Sequence, residues 1–242
     1  VKILEHDGVL EYGYISDNIK TVREKISETA IKYNRDPDSI TVIGVSKTHP
    51  AEAAAVALYE GLTDLGENRT EELLDKALIL EDLKLDPKWH MIGTLQRRKV
   101  KQLIGVTSLI HSVDSIKLLE EISARSVSAG VVTDILFELN IAEEESKHGF
   151  LPSQLNEITE IMLSKLPGVK SRGIMTMAPF TDSEYVIEKV FDKTREVFLS
   201  LSEIFSNDDF NVLSMGMSND YQMAVKYAST HLRIGTAIFG RR

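Results

Sequence analysis

No cysteine occurs in the 242 residues, which excludes a disulfide frame, a thiolate nucleophile and any cysteine-ligated zinc or iron–sulfur centre. Long apolar runs are missing too. The longest, Ala53 to Tyr59, falls far short of the roughly 20 residues that span a bilayer, and VKILEHDG lacks a signal-peptide core, so a cytoplasmic protein is expected. Basic charge is scarce: 28 Lys and Arg against 37 Asp and Glu leave a net charge of −9. Nucleic acid and anionic membrane are therefore repelled at long range, and an anionic ligand needs a local pocket. The six prolines are scattered at element ends and no Pro-, Gly- or Ser-rich linker divides the chain, which argues for one domain over 1–242. A chain of this length buries roughly 70–75% of the surface its unfolded form exposes, enough to be stable without a disulfide or a structural metal.

What is present is an alternation. Ile15, Ile19, Val22, Ile26 and Ala30 recur at helical spacing before Asp36-Pro37, so residues 1–38 read as an N-terminal helical segment. From 40 to 240, short β-branched runs alternate with helical patterns such as Ile116, Leu119, Ile122 and Val186, Val190, Val197, Leu201. The runs are ITVIGVSK ending at Lys47, TDLGEN at Asn68, KWHMIGT at Thr94, LIHSVD at Asp114, DILFELNI at Ile141, KSRGIMTM at Met177, NVLSMG at Gly216 and HLRIGT at Thr236. Strands separated by helices pair in parallel. Eight such units in a chain near 250 residues predict an α/β fold of the (β/α)8 TIM-barrel kind, with an extra N-terminal helix. TDLGEN has only one strongly apolar residue; without it, seven strands would make an open doubly wound sheet.

Barrel sites form at the C-terminal strand ends, and the polar residues gather there: Lys47, Glu67 with Asn68, His90, the loop after Ile141, Thr176, Ser218 and Gly235-Thr236. Lys47 closes the apolar run Ile43-Gly44-Val45, where loss of water would favour the neutral amine that condenses with an aldehyde; the alternative is a lysine reaching from a strand end into solvent. Ser218 is expected to cap a helix beginning at Asn219, and Gly235-Thr236 offers an open backbone N–H and a hydroxyl. Together they suit a phosphate between the last two loops, or simply a cap and a tight turn. Arg233 lies on the same strand face as Gly235 and needs hydrogen-bond acceptors, which could be Glu67, Glu138 or the ring nitrogen of a ligand. His90 reads as a packing residue, since the six histidines show no HxH or HExxH spacing. Arg97 to Lys101 and Glu143 to Glu145 read as solvated charge. No GxSxG, GxGxxG or P-loop occurs.

The segments VSKTHP, LGENRTEE, WHMIGTLQRRKV, HSVD, NIAEEESKHGF, GIMTMAP, LSMGMSND and STHLRIGTAIFG resemble, in order from about Ile40 to Gly240, the pyridoxal phosphate homeostasis protein family. That family is similar to the barrel half of alanine racemases, the type III fold of pyridoxal phosphate (PLP) proteins. The resemblance implies PLP as cofactor, held as an aldimine on Lys47. It also implies that Ser218, Gly235 and Thr236 hold its phosphate, that Arg233 faces the pyridine nitrogen and that Asn68 lines the ring pocket. Met175, Met177 and His90 would add apolar or edge contacts. Lys147, in the loop SKHG, is either a solvated lysine or a second amine that receives the aldehyde during loading or release.

The function expected is to hold, buffer and deliver PLP, with little or no turnover. An arginine at the ring nitrogen leaves it unprotonated, which weakens its use as an electron sink. The sequence also stops six residues after Thr236, without the further domain that completes a racemase. The resemblance implies a monomer, with apo PLP enzymes as recipients and no nucleic-acid or membrane partner. A minimal PLP enzyme such as a weak racemase, and a Schiff-base aldolase acting on sugar phosphates, are the other readings.

Overall fold

The computed structural model describes residues 12–144, 148–163, 166–205 and 209–241. Helix α1 (Tyr14–Lys32) buries Ile15, Ile19, Val22, Ile26 and Ala30, the stripe that the sequence spacing marks. It ends before Asp36, whose carboxylate accepts from the Asp38 N–H and starts a single 3-10 turn at Pro37–Ser39.

Eight parallel strands then close into a barrel: β1 (Thr41–Val45), β2 (Asp64–Glu67), β3 (Lys88–Met91), β4 (Leu109–Val113), β5 (Thr133–Leu139), β6 (Val169–Thr176), β7 (Val212–Ser214) and β8 (His231–Ile234). Closure is made by β8 against β1, in register from Thr41 opposite His231 to Gly44 opposite Ile234. Each strand stops one to three residues before its sequence boundary, at Val45 rather than Lys47 and at Met91 rather than Thr94, because the chain leaves the ladder to form the rim. TDLGEN is a true strand. Its low apolar content reflects Asp64 and Gly66 facing the lumen, where Ile43 and Ile92 crowd Gly66, while Glu67 meets a lysine in the helical layer.

Among the described residues the helical layer is completed by α2 (Ala51–Tyr59), α3 (Thr70–Asp82), α4 (Val100–Leu103), α5 (Ile116–Ala129), α6 (Leu155–Leu163), α7 (Glu184–Phe205), α8 (Tyr221–Lys226) and α9 (Thr236–Phe239). In α7, Val190, Val197 and Leu201 are buried as expected, but Val186 is largely exposed on the first turn. A single turn, α9 cannot cover the seam between β8 and β1, and α1 covers it instead. The Tyr14 hydroxyl donates to the Phe239 carbonyl at 2.8 Å and Asn18 donates to the Ile238 carbonyl at 2.9 Å. Arg35 donates to the carbonyls of Val225 and Ser229, both at 2.7 Å.

The main apolar core fills the space between barrel and helices. Inside the barrel, Leu109, Leu136, Met175 and Val212 form a separate small cluster on the β4–β7 side. Elsewhere the lumen holds polar side chains, among them Asp64, His90, His111, Ser214 and Arg233, and that division positions the site. No helix among the described residues is long and apolar enough to cross a membrane.

Candidate functional site at the C-terminal rim

Alternation along β1 turns Gly44 and Ser46 toward the helices: a Cβ on Gly44 would meet Leu62, Leu65 and Phe239, and Ser46 bonds into the helical layer. Lys47 follows two residues past Val45, in the turn above the strand. It is exposed, so the desolvation expected from the sequence is not supplied by the protein, and its ammonium makes no hydrogen bond or ion pair among the described residues.

The turn that carries Lys47 is held from both sides. Ser46 donates its hydroxyl to Glu67 Oε1 at 2.6 Å and accepts, through its carbonyl, from Lys76 Nζ at 2.7 Å. Thr48 has φ +71, a left-handed conformation costly for a β-branched residue, and its N–H donates to Glu72. Lys76, nearly fully buried, joins the two carboxylates at 2.6 Å from Glu67 and 2.9 Å from Glu72. Burial pushes the Glu67 carboxyl up against the pull of Lys76, and its second oxygen is buried without a partner. Asn68, half-buried, comes next in the chain, and its backbone packs so tightly on Gly93 that a Cβ there would lie 2.4 Å from its carbonyl oxygen.

The loops after β7 and β8 meet beside this turn. Gly235 adjoins Val45, since a Cβ on it would lie 3.4 Å from the Val45 carbonyl. The helix after β7 starts at Tyr221, so Ser218 does not cap it as expected; the N-cap position falls on Asp220, whose carboxylate accepts from the Met217 N–H at 2.5 Å in the preceding loop and bonds no N–H of the helix. Ser218 Oγ instead accepts from the Ala237 N–H at 3.1 Å, tying the two loops together across the rim. Gly216 makes the approach possible, with φ +96 and a Cβ position only 2.5 Å from the Ala224 methyl. The backbone N–H groups of Ser218, Asn219 and Thr236 find no acceptor among the described residues, and the Thr236 side chain is exposed beside them. Such N–H groups suit an anion.

Arg233 lies one layer deeper and is 3% exposed. Its acceptors are neither of the carboxylates the sequence suggested. Nη1 donates to Ser214 Oγ at 2.6 Å and Nη2 donates to the Thr176 carbonyl at 2.9 Å. Glu67 faces the opposite side of the wall, with Lys76. Burial pushes the Arg233 guanidinium down to about 10, against the pull of Asp220 and Glu138, so it stays cationic at neutral pH. Glu138 is buried and its carboxyl makes no hydrogen bond among the described residues; burial, with the Asp114 charge added, pushes it up to about 7 against Arg233 and His148.

Lys47, Asn68, Ser218, Gly235 and Thr236 thus gather at one rim, with Arg233 beneath them. Met177, 37% exposed, belongs to the rim, whereas Met175 is fully buried in the small lumenal cluster below it. His90 is placed away from the rim. Its Nε2 lies 2.8 Å from Asp64 Oδ1 and its Nδ1 lies 2.9 Å from His111 Nε2, so both nitrogens are taken by protein. Lys147 and Glu145 lie outside the described residues. Sequence reasoning missed Lys76, His111 and Ser214, each of which stands in an ordinary helix or strand pattern.

The sequence matches the family described as alanine racemase, N-terminal domain, over residues 14–242, and this sets the class to which the barrel and its rim belong. An alanine racemase of Clostridium difficile 630 shares the fold, with a TM-score of 0.70 at 17% identity, covering 93% of this chain and 56% of that one. More similar relatives narrow the class. The pyridoxal phosphate homeostasis protein of Aquifex aeolicus is 38% identical over 230 residues, 93% of this chain and 97% of the relative. The human protein of the same name is 35% identical over 237 residues, 93% and 85%. The chain belongs to the pyridoxal phosphate homeostasis protein family. Among solved structures, PipY of Synechococcus elongatus PCC7942 with PLP bound has a TM-score of 0.80 at 30% identity, covering 93% of this chain and all of that one.

Proposed function

We propose that this chain binds PLP at the rim and holds it for release to apo PLP enzymes, acting as a cytoplasmic monomer with little or no turnover of its own. The residues present fit that group. Among the described residues Lys47 supplies an amine with no competing partner, the loops after β7 and β8 supply N–H groups with no acceptor, and Arg233 has guanidinium N–H groups beyond the two it spends on Ser214 and Thr176. When bound, PLP supplies an aldehyde that condenses with amines and a ring that withdraws electrons from what is attached to it.

Arg233 carries the reading of storage over catalysis. A buried cation anchored to a hydroxyl and a carbonyl can only donate, so a ring nitrogen facing it stays unprotonated and its electron demand stays low. Lys47 holds the aldehyde end, Ser218, Gly235 and Thr236 hold the phosphate, and Asn68 and Met177 border the ring.

Protein loaded with PLP and reduced with borohydride should carry the pyridoxyl phosphate mass on the Lys47 peptide, and Lys47→Ala should lose the visible absorption band. A label found only on another lysine would overturn the assignment. A panel of amino acids should show no racemase, transaminase or decarboxylase turnover above free PLP. One amino acid turned over at about 1 per second or faster, in a reaction lost with Lys47→Ala, would establish an enzyme instead.

A further inference from the structure

Behind Arg233 an unbroken line of polar side chains crosses the lumen. Arg233 Nη1 is 2.6 Å from Ser214 Oγ, Ser214 Oγ is 3.0 Å from His111 Nδ1, His111 Nε2 is 2.9 Å from His90 Nδ1, and His90 Nε2 is 2.8 Å from Asp64 Oδ1. Strands β4 and β7 are not neighbours in the sheet, so the His111–Ser214 contact spans the barrel from wall to wall. All five residues are 5% exposed or less.

The direction of every bond follows from chemistry. Arg233 can only donate, and the Asp64 carboxylate, held below the usual range where hydrogen bonds from His90 and Thr63 outweigh its burial, can only accept. With both imidazoles neutral, Arg233 donates to Ser214, Ser214 to His111 Nδ1, His111 Nε2 to His90 Nδ1, and His90 Nε2 to Asp64. No proton or lone pair in the line is wasted. A proton placed on His111 Nδ1 would reverse the middle of the line and leave the Ser214 hydroxyl proton without an acceptor, since its neighbours there would both be donors. Burial, with the Arg233 cation beside it, holds the His111 imidazole well below its ordinary value, in agreement with the neutral form.

We propose that His111, backed by His90 and Asp64, is a positioning residue for Arg233. By taking the Ser214 proton it turns the Ser214 oxygen wholly into an acceptor, fixes the guanidinium between Ser214 and Thr176, and leaves the other N–H groups for the ring nitrogen of PLP. The acceptor that ends the line is Asp64, the first residue of β2, at the opposite end of the lumen from the rim. This inference rests on the reading that Arg233 faces the ring nitrogen.

The test compares PLP with its carbocyclic analogue, in which C–H replaces the ring nitrogen, binding to the full chain. Arg233→Gln should lose about tenfold or more in affinity for PLP and little for the analogue, as expected for one charge-assisted hydrogen bond. His111→Phe and Ser214→Ala should show the same selective loss and a shifted PLP absorption maximum, and His111→Asn, which keeps an acceptor toward Ser214, should restore much of both. If Arg233→Gln weakens both ligands equally, Arg233 does not read the ring nitrogen and the inference falls with that reading. If Arg233→Gln is selective while Ser214→Ala and His111→Phe are not, the positioning role alone is overturned. Urea midpoints of the unloaded variants identify any that fail to fold, and Ser214→Ala, the smallest change, then decides.

Discussion

Ser218 shows how much one hydroxyl does at this rim. Its oxygen is occupied by the Ala237 N–H, which ties the two loops together, and its own proton is left to donate. On the proposed placement of the phosphate, Ser218→Ala removes a donor toward it and loosens the loop pair at once. Thr236→Val removes a donor alone, because the Thr236 side chain makes no protein hydrogen bond among the described residues. Each change should weaken PLP about tenfold or more, the worth of one charge-assisted bond of roughly 1.5–3 kcal/mol. Unphosphorylated pyridoxal, compared by the same titration, should be nearly indifferent to Thr236→Val. Equal losses for both ligands would make Thr236 a structural residue.

Among elements, the coupling of α3 to the turn after β1 is the costliest arrangement at the site. Lys76 reaches from α3 under that turn and pairs with both Glu67 and Glu72 while donating to the Ser46 carbonyl. Lys76→Met leaves two carboxylates clustered with no cation, and breaking a buried pair in this way costs about 3–5 kcal/mol. Urea unfolding should show that loss, and Lys76→Met combined with Glu67→Leu should recover part of it. A loss below about 1 kcal/mol would show that the pair is not held in solution as it is here. Only the i,i+4 spacing of Glu72 and Lys76 stands in the local sequence. In TEELLDKA, Lys76 reads as an ordinary surface lysine, and nothing in the spacing links it to Glu67, nine residues earlier on a strand. The strands themselves were legible from their alternation with helices, and so were Lys47, Gly235 and Arg233, because each stands at or near a strand end. The cap role given to Ser218 failed because its partner is Ala237, nineteen residues away on another loop. The line from Arg233 to Asp64 draws on five strands, and its two parts, on β2 to β4 and on β7 and β8, meet only across the lumen of the closed barrel.

At the scale of the whole molecule, a lumen filled with titratable groups must leave its mark on stability as pH changes. Burial, with Asp114, raises Glu138 from 4.5 to about 7; burial lowers His231 from 6.5 to about 4. Glu138 keeps its proton in the fold where the unfolded chain has lost it. Its contribution is fully present below pH 4.5 and is lost as pH rises through about 7, a loss of about 3 kcal/mol. His231 works in the opposite sense: its contribution is present above pH 6.5 and is lost, by at most about 3 kcal/mol, as pH falls through about 4. His111, lowered for the same leading reason, has the same sign. Between pH 4.5 and 6.5 these slopes oppose one another, and the unloaded protein should change little in stability there. Glu138→Gln removes one of them. The variant should match the parent near pH 4.5, gain on it steadily as pH rises, and exceed it by up to about 3 kcal/mol at pH 8. Urea midpoints at pH 4.5, 6.5 and 8 measure this directly. Parallel curves for the two proteins would mean that Glu138 is ionised and solvated in the fold, and that its carboxylate, rather than its neutral acid, stands beside Arg233.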